Sequence, residues 1–207
     1  MSGRPLPRPP LAVEIEPLPA GSELVRVHHA RFAATEFNAT AHPPGRFRPF
    51  GDPVVPTMFA ARDSDTALAE SVFHDVPIRG TRQLARAALR ERLLSRITPT
   101  RELRLVALHG YGLQRLGVTH GELIESGPTA YTWTATWGQA LHAAAPDADG
   151  LTWMARRFTG RPSLMLFGDR ITADEFTATG APLELWHGPG LQFVERAAQQ
   201  SDIALLL

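Results

Sequence analysis

PTMFAARDSDTALAESVF, residues 56–73, changes its hydrophobic period in the middle. Residues 56–61 form a short apolar run bounded by proline, the pattern of a buried strand. Asp63, Ser64 and Asp65 then offer side-chain oxygens for the first free N–H groups of a helix. The helix is expected to run through Phe73, with Leu68 and Val72 four apart on one buried face. The unit is therefore strand, capped turn, helix, and the rest of the fold is whatever packs on it.

Upstream, residues 24–28 (LVRVH) read as a strand. Residues 39–56 hold Pro43, Pro44, Gly45, Pro49, Gly51, Pro53 and Pro56, so they are expected to form a long loop. A structureless loop of that length inside a compact domain is usually functional or disordered. Residues 1–20 are expected to form a proline-rich arm, extended and unpaired, that wraps the domain formed by residues 21–207.

Downstream, residues 81–96 place Leu84, Ala88, Leu89 and Leu93 at helical spacing, with the arginines mostly on the opposite side, and predict a second helix. Residues 103–108 (LRLVAL) predict a strand. Thr119 and Glu122 have capping-box spacing. Residues 130–145 predict a long helix, and residues 150–155, 164–167 and 183–186 predict strands. The closing IALLL, residues 203–207, is expected to be a buried strand. Helices in the middle, with strands at both ends and between them, predict a mixed α/β or α+β class, not a doubly wound sheet.

Composition narrows the function. The chain has 207 residues, enough for one full core. Its 21 basic and 21 acidic residues balance, so no cationic excess favours direct nucleic-acid binding. All the basic residues are arginine. The absence of cysteine rules out disulfides, thiolate metal sites and cysteine nucleophiles, and fits a reducing compartment. The first ten residues, MSGRPLPRPP, lack the apolar run of a signal peptide, and no stretch is long and apolar enough to span a bilayer. The expected location is the cytoplasm, with no membrane contact. Phosphate-loop, dinucleotide-fingerprint, zincin and nucleophile-elbow patterns are all missing. His28, His29, His74, His109 and His142 are scattered, and no metal site is expected.

Four segments taken in order are more specific than any alone. They are Leu24-Val25-Arg26-Val27; Gly45-Arg46-Phe47; the 56–73 unit with Ala67-Leu68-Ala69-Glu70; and Asp149-Gly150-Leu151-Thr152-Trp153-Met154-Ala155-Arg156. From about residue 24 to residue 169 the set resembles the RES family, named for an arginine, a glutamate and a serine. The resemblance implies an ADP-ribosyltransferase-like fold with NAD in a cleft between β-sheets flanked by helices. It implies a toxin that cleaves NAD at the nicotinamide–ribose bond by hydrolysis or phosphorolysis, without a metal, and a partner antitoxin of Xre type. Two other outcomes stay open: a weakened RES domain that binds without turnover, and transfer of ADP-ribose to a protein. A homodimer is open as well.

Carried over residue by residue, the resemblance makes Arg26 and Glu70 the catalytic candidates. Arg46, Phe59, Trp153, Ala155 and Arg156 become the NAD-binding candidates. Arginine suits a diphosphate because its planar fork donates in pairs. A carboxylate suits the cationic ribosyl group formed when the glycosidic bond breaks. Aromatic rings suit the nicotinamide or adenine. The sequence departs from the family pattern twice: Phe59 stands where a tyrosine is usual, and Ala155 where the serine is usual. Each change removes a hydroxyl. Thr132, Thr134 and Thr136 of the preceding helix are available as stand-ins.

Overall fold

The computed structural model describes residues 4–158 and 160–206. Met1 to Gly3 of the expected arm, and Leu207 of the expected last strand, lie outside the described residues. The centre of the fold is an eight-stranded sheet. Its strands are β1 (Ile15–Leu18), β2 (Leu24–His29), β3 (Thr57–Ala61), β5 (Arg92–Pro99), β6 (Leu103–Ala107), β7 (Gly150–Met154), β8 (Pro162–Phe167) and β9 (Phe176–Glu184), and their spatial order is β1-β6-β7-β8-β3-β2-β5-β9. Within this sheet, among the described residues, only the β6–β7 pair is parallel. A separate two-stranded ribbon pairs β4 (Gln83–Ala85) with β10 (Ala204–Leu206). The class is mixed α+β, as the segment order predicts.

The sheet curls. Leu18 on one edge strand and Phe176 on the other pack in a single cluster with Leu24 and Met58 of the central strands. The opposite face carries the helices. At one end α2 (Gly110–Leu116), α3 (His120–Leu123) and α4 (Tyr131–Ala144) cover Leu151, Trp153 and Met165. At the other, α1 (Ser64–Ala69) and α5 (Gly188–Gln200) cover Val25, Ala61 and Leu94. A gap is left between the two helical groups. Among the described residues no helix is long and apolar enough to cross a membrane.

The 56–73 unit folds as strand, cap and helix, but the helix is shorter than expected. Asp63 caps it, accepting from the Thr66 N–H at 2.9 Å and the Thr66 hydroxyl at 2.8 Å. It ends at Glu70 because Ser71 turns back on it. The Ser71 hydroxyl donates to the Ala67 carbonyl, while the Ser71 and Phe73 N–H groups both donate to the Leu68 carbonyl. A serine that bonds its own backbone competes with helix propagation.

The helix expected over residues 81–96 does not form. That stretch holds β4, a 3₁₀ turn (Arg86–Leu89) and β5. Arg90 is extended and Glu91 has φ 56°, which breaks the periodicity. Beyond it, β5 pairs with all of β2 through Arg92 to Ile97 and with β9 on its other side. Two ladders outweigh a helical spacing of leucines, since tertiary pairing overrides propensity. The closing stretch is also corrected: Ile203 is buried, but β10 lies on the surface and Leu206 is 43% exposed. Of residues 183–186, Leu183 and Glu184 end a longer strand, β9, and Leu185 and Trp186 form a turn. Residues 15–18 of the arm pair with β6 as an edge strand, and the Pro5 carbonyl accepts from both Trp133 and Trp137 indoles.

The proline-rich loop of residues 39–56 is fixed against α4. Phe47 is fully buried with φ 67°, its N–H donates to Thr134 Oγ1 at 3.3 Å, and its carbonyl sits over Gly138. A Cβ on Gly138 would lie 2.3 Å from that carbonyl oxygen. Gly138→Ala is therefore expected to destabilise the protein by about 1–3 kcal/mol, the usual cost of overpacking. At Gly117 nothing lies within 4 Å and only the left-handed φ of 66° is at issue. Gly117→Ala should cost less, about 1 kcal/mol. Urea midpoints of the two variants test the contrast.

Candidate functional site

The gap between the helical groups is a cleft of about 540 Å³, within the usual range for small-molecule sites, about 300–1,000 Å³. Its floor is the central sheet: Val25 and Val27 of β2, Phe59 and Ala61 of β3, Trp153 of β7 and Ser163 of β8. One wall is the proline-glycine loop, Pro43 to Arg46. The other is Glu70, Ser71, His74 and Asp75 after α1, and Tyr131 at the start of α4 closes one end.

Arg46 and Glu70 meet across the cleft. Arg46 Nη1 donates to Glu70 Oε2 at 3.0 Å, and the two side chains are 4% and 13% exposed. Glu70 Oε1 accepts the Arg156 backbone N–H at 3.0 Å. The carboxylate is thus held from two sides by segments remote in sequence. Arg46 keeps two buried donors, Nε and Nη2, without a partner. Other buried arginine donors in the chain, Arg26 Nε among them, are likewise unpaired; those of Arg46 differ in lying beside the Glu70 carboxylate in the cleft, where a ligand or water can accept from them.

The aromatic floor is built in layers. Trp153 is buried, with its ring 5.4 Å from Phe47 beneath and 6.3 Å from Phe59 at the edge. Phe59 is 36% exposed and faces the cleft. Trp153 Nε1 has no partner.

Arg26 departs from its expected role. It borders the cleft, yet its Nη1 donates to the Ala34 and Glu36 carbonyls, each at 2.9 Å. Strand alternation explains this. Val25 and Val27 pack with Ala61 and Leu68 on the cleft side, while Leu24 packs with Ala34 and Phe37 on the other. Arg26 shares that second face, next to His28. Burial pulls its guanidinium down to about 10, partly opposed by the Glu36 carboxylate, so it stays charged at neutral pH. The guanidinium that meets Glu70 is Arg46, and Arg26 pins the 30–37 loop.

Ala155 is buried and lies outside the cleft lining; its N–H donates to the Arg161 carbonyl. Arg156 acts through its backbone, and its side chain lines a neighbouring cavity with Arg82 and Arg157. The threonines do not supply the missing hydroxyl. Thr134 Oγ1 bonds Phe47 N–H and the Tyr131 carbonyl, Thr136 bonds the Trp133 carbonyl, and Thr132 is exposed. Sequence reasoning missed Tyr131, one residue earlier, whose hydroxyl lies 3.2 Å from His74 Nε2 in the cleft. His74 Nδ1 in turn is 2.9 Å from Asp75 Oδ1. The adjacent His74 and Asp75, four and five residues beyond the helix end at Glu70, were the available signal. No group of three or more acidic, histidine or cysteine side chains able to hold a metal occurs among the described residues.

A family model described as RES domain matches residues 23–186, well over half of the chain. No curated protein matches it. Among solved structures, the chain is similar to one in the crystal structure of the M. tuberculosis MbcT–MbcA toxin–antitoxin complex. The identity is 14% and the TM-score 0.63, over 88% of this chain and 92% of that one. At that identity the likeness speaks for the fold.

Two histidines, His28 buried and His142 half-buried, give the stability of the domain an acid limb. Burial, and then Arg26, lowers the His28 imidazole; burial, and then Arg170, lowers that of His142. Both therefore bind protons less readily folded than unfolded. Stability should be full above the ordinary imidazole value of about 6.5 and fall as pH drops below it. Denaturant midpoints at pH 7.5 and 5.5 should differ in the wild type, and the difference should shrink in His28→Asn and in His142→Gln.

Proposed function

The chain belongs to the RES domain family, and from that premise we propose that it is an enzyme that cleaves NAD at the nicotinamide–ribose bond. The observation that carries this is the Arg46–Glu70 pair, buried in a cleft of ligand size with two Arg46 donors still unpaired.

The chemistry divides between walls and floor. The free Nε and Nη2 of Arg46 suit a diphosphate oxygen, which accepts charge-assisted bonds from a planar fork. Glu70, fixed by Arg46 and the Arg156 N–H, presents negative charge to the ribosyl carbon as the bond breaks. Its position does not have to change during the reaction, which is what makes such a charge effective. Phe59 and Trp153 offer the apolar surface on which a nicotinamide ring stacks. Arg26 contributes indirectly by holding residues 34–36 behind β2. The nucleotide is a substrate here, and the proposed reaction needs no metal.

The partner in this proposal is an antitoxin protein that closes the cleft; the similar solved structure is of a toxin–antitoxin complex. An Xre-type regulator is the expected kind, and the cytoplasm, where NAD is abundant, the expected location. A domain that binds NAD without turning it over is the second reading. Phe59 and Ala155, which lack the hydroxyls usual in the family, favour it.

Incubation of the purified protein with NAD should release nicotinamide. Glu70→Gln should lower the rate by about 10²–10³-fold, the usual effect of losing one transition-state charge contact, while calorimetry still detects NAD binding. NAD binding with no nicotinamide release in the wild type would establish the second reading, and no binding at all would reject both.

A further inference from the structure

Glu70 is well placed to face a cation but not to take a proton. Both its oxygens already accept, one from Arg46 and one from the Arg156 N–H. Cleavage by water nevertheless needs an acceptor for one proton, and the other groups of the cleft supply one.

Tyr131, His74 and Asp75 all line the cleft. The Tyr131 hydroxyl is 3.2 Å from His74 Nε2, and His74 Nδ1 is 2.9 Å from Asp75 Oδ1. The imidazole is only 14% exposed, whereas the Asp75 carboxylate is 82% exposed. A carboxylate can only accept, so Nδ1 carries the proton and donates it to Asp75. Nε2 is then a free lone pair, and the Tyr131 O–H donates to it. The phenol oxygen, part of the cleft lining, keeps lone pairs with which to accept. Burial raises the Tyr131 phenol above its ordinary value, so it stays protonated at neutral pH.

The charged surroundings are these. The charges that act on Tyr131 are Arg46, Asp75, Glu70 and Arg156. Asp75 flanks His74, and Arg157 reaches the His74 and Val76 carbonyls.

We propose that Tyr131 and His74 form the proton-accepting relay for the attacking water, with Asp75 as the positioning residue that sets the imidazole tautomer. The proposal rests on NAD cleavage as the reaction. The bond between the ribosyl carbon and the nicotinamide nitrogen breaks, and its electron pair leaves on neutral nicotinamide. The water oxygen bonds to the ribosyl carbon. Its proton passes to the Tyr131 oxygen as the Tyr131 proton passes to His74 Nε2, and His74 later gives one proton to solvent. ADP-ribose, nicotinamide and that proton account for every atom of NAD and water. The hydroxyl absent at Phe59 is thus supplied from α4.

Two measurements test this, one of them independent of turnover. In the first, Tyr131→Phe should lower kcat on the order of a hundredfold, within the range of general-base catalysis, with KM little changed. His74→Gln should do the same and remove the acid limb of the kcat/KM pH profile. Asp75→Asn should move that limb without abolishing turnover. A Tyr131→Phe enzyme with kcat within about threefold of wild type overturns the relay, since one lost transition-state contact typically costs far more. In the second, nitrogen NMR of the free protein at neutral pH should show His74 protonated on Nδ1 only, with the Nε2 resonance shifting in Tyr131→Phe. A proton on Nε2 overturns the relay whether or not NAD is cleaved. If the wild type releases no nicotinamide, the enzymatic reading falls by itself, and the tautomer still decides whether the Tyr131–His74 couple accepts a proton.

Discussion

The structure around the cleft depends on one buried ion pair. Arg46 stands in a loop that has no regular structure of its own, and Glu70 stands where α1 stops. Neither charge is stable alone in that setting. Removing one partner of a buried pair typically costs about 3–5 kcal/mol, because the other is left uncompensated. The pair therefore forces the proline-rich loop down onto the turn after α1. Its other contacts follow. The Arg156 N–H completes Glu70, which fixes the turn after β7. Phe47, next to Arg46, enters the core against Trp153 and α4, and α4 admits it only because residue 138 has no side chain. A loop that composition marks as irregular is in this way as well determined as a strand.

The same dependence explains what was legible in the sequence. Segments whose signal is local could be read directly. β2, β3 and α4 carry continuous apolar or periodic patterns, and the capping boxes and N-caps announce helix starts within four residues. Segments whose state is decided by partners could not. Residues 81–96 have the leucine spacing of a helix, yet Leu94 and Ile97 sit between two neighbouring strands that are distant in sequence. The last residues look like a core strand by composition, but among the described ones only Ile203 is fully buried, and Leu205 packs on the core from its edge. Residues 15–18 read as arm because a lone edge strand next to prolines has little pattern to show.

The family pattern names positions along the chain but carries no information on where each side chain points. Glu70, Arg46, Phe59 and Trp153 come together in one cleft. Arg26 does not reach Glu70, and the cause was available in the sequence. Val25 and Val27 flank it, so a strand that buries both valines against α1 must turn Arg26 to the opposite face. An arginine on a strand is a strong signal that a charge is buried. It is a weak signal of where that charge points. Arg46 reads as the lesser candidate because loops carry no periodicity, although a loop is free to aim a side chain at any neighbour.

The division between floor and walls bears on the two departures from the family pattern. The floor is apolar and belongs to the sheet, where Phe59 and Trp153 are set by strand register and can change only within the limits of packing. The polar groups come from the layer above: Arg46 from the loop, Glu70, His74 and Asp75 from the end of α1 and its turn, and Tyr131 from α4. These segments are held to one another by the Arg46–Glu70 pair, by Phe47 against α4, and by the Tyr131–His74 bond. A hydroxyl missing from the floor can therefore be replaced by one entering from the walls without moving any strand. Ala155 is a different case. It lies outside the cleft lining with its N–H donating to the Arg161 carbonyl, where a serine side chain would be buried rather than presented to a ligand. Of the two absent hydroxyls, only the one at Phe59 leaves a gap in the cleft, and that gap lies on the same side of the sheet as Tyr131.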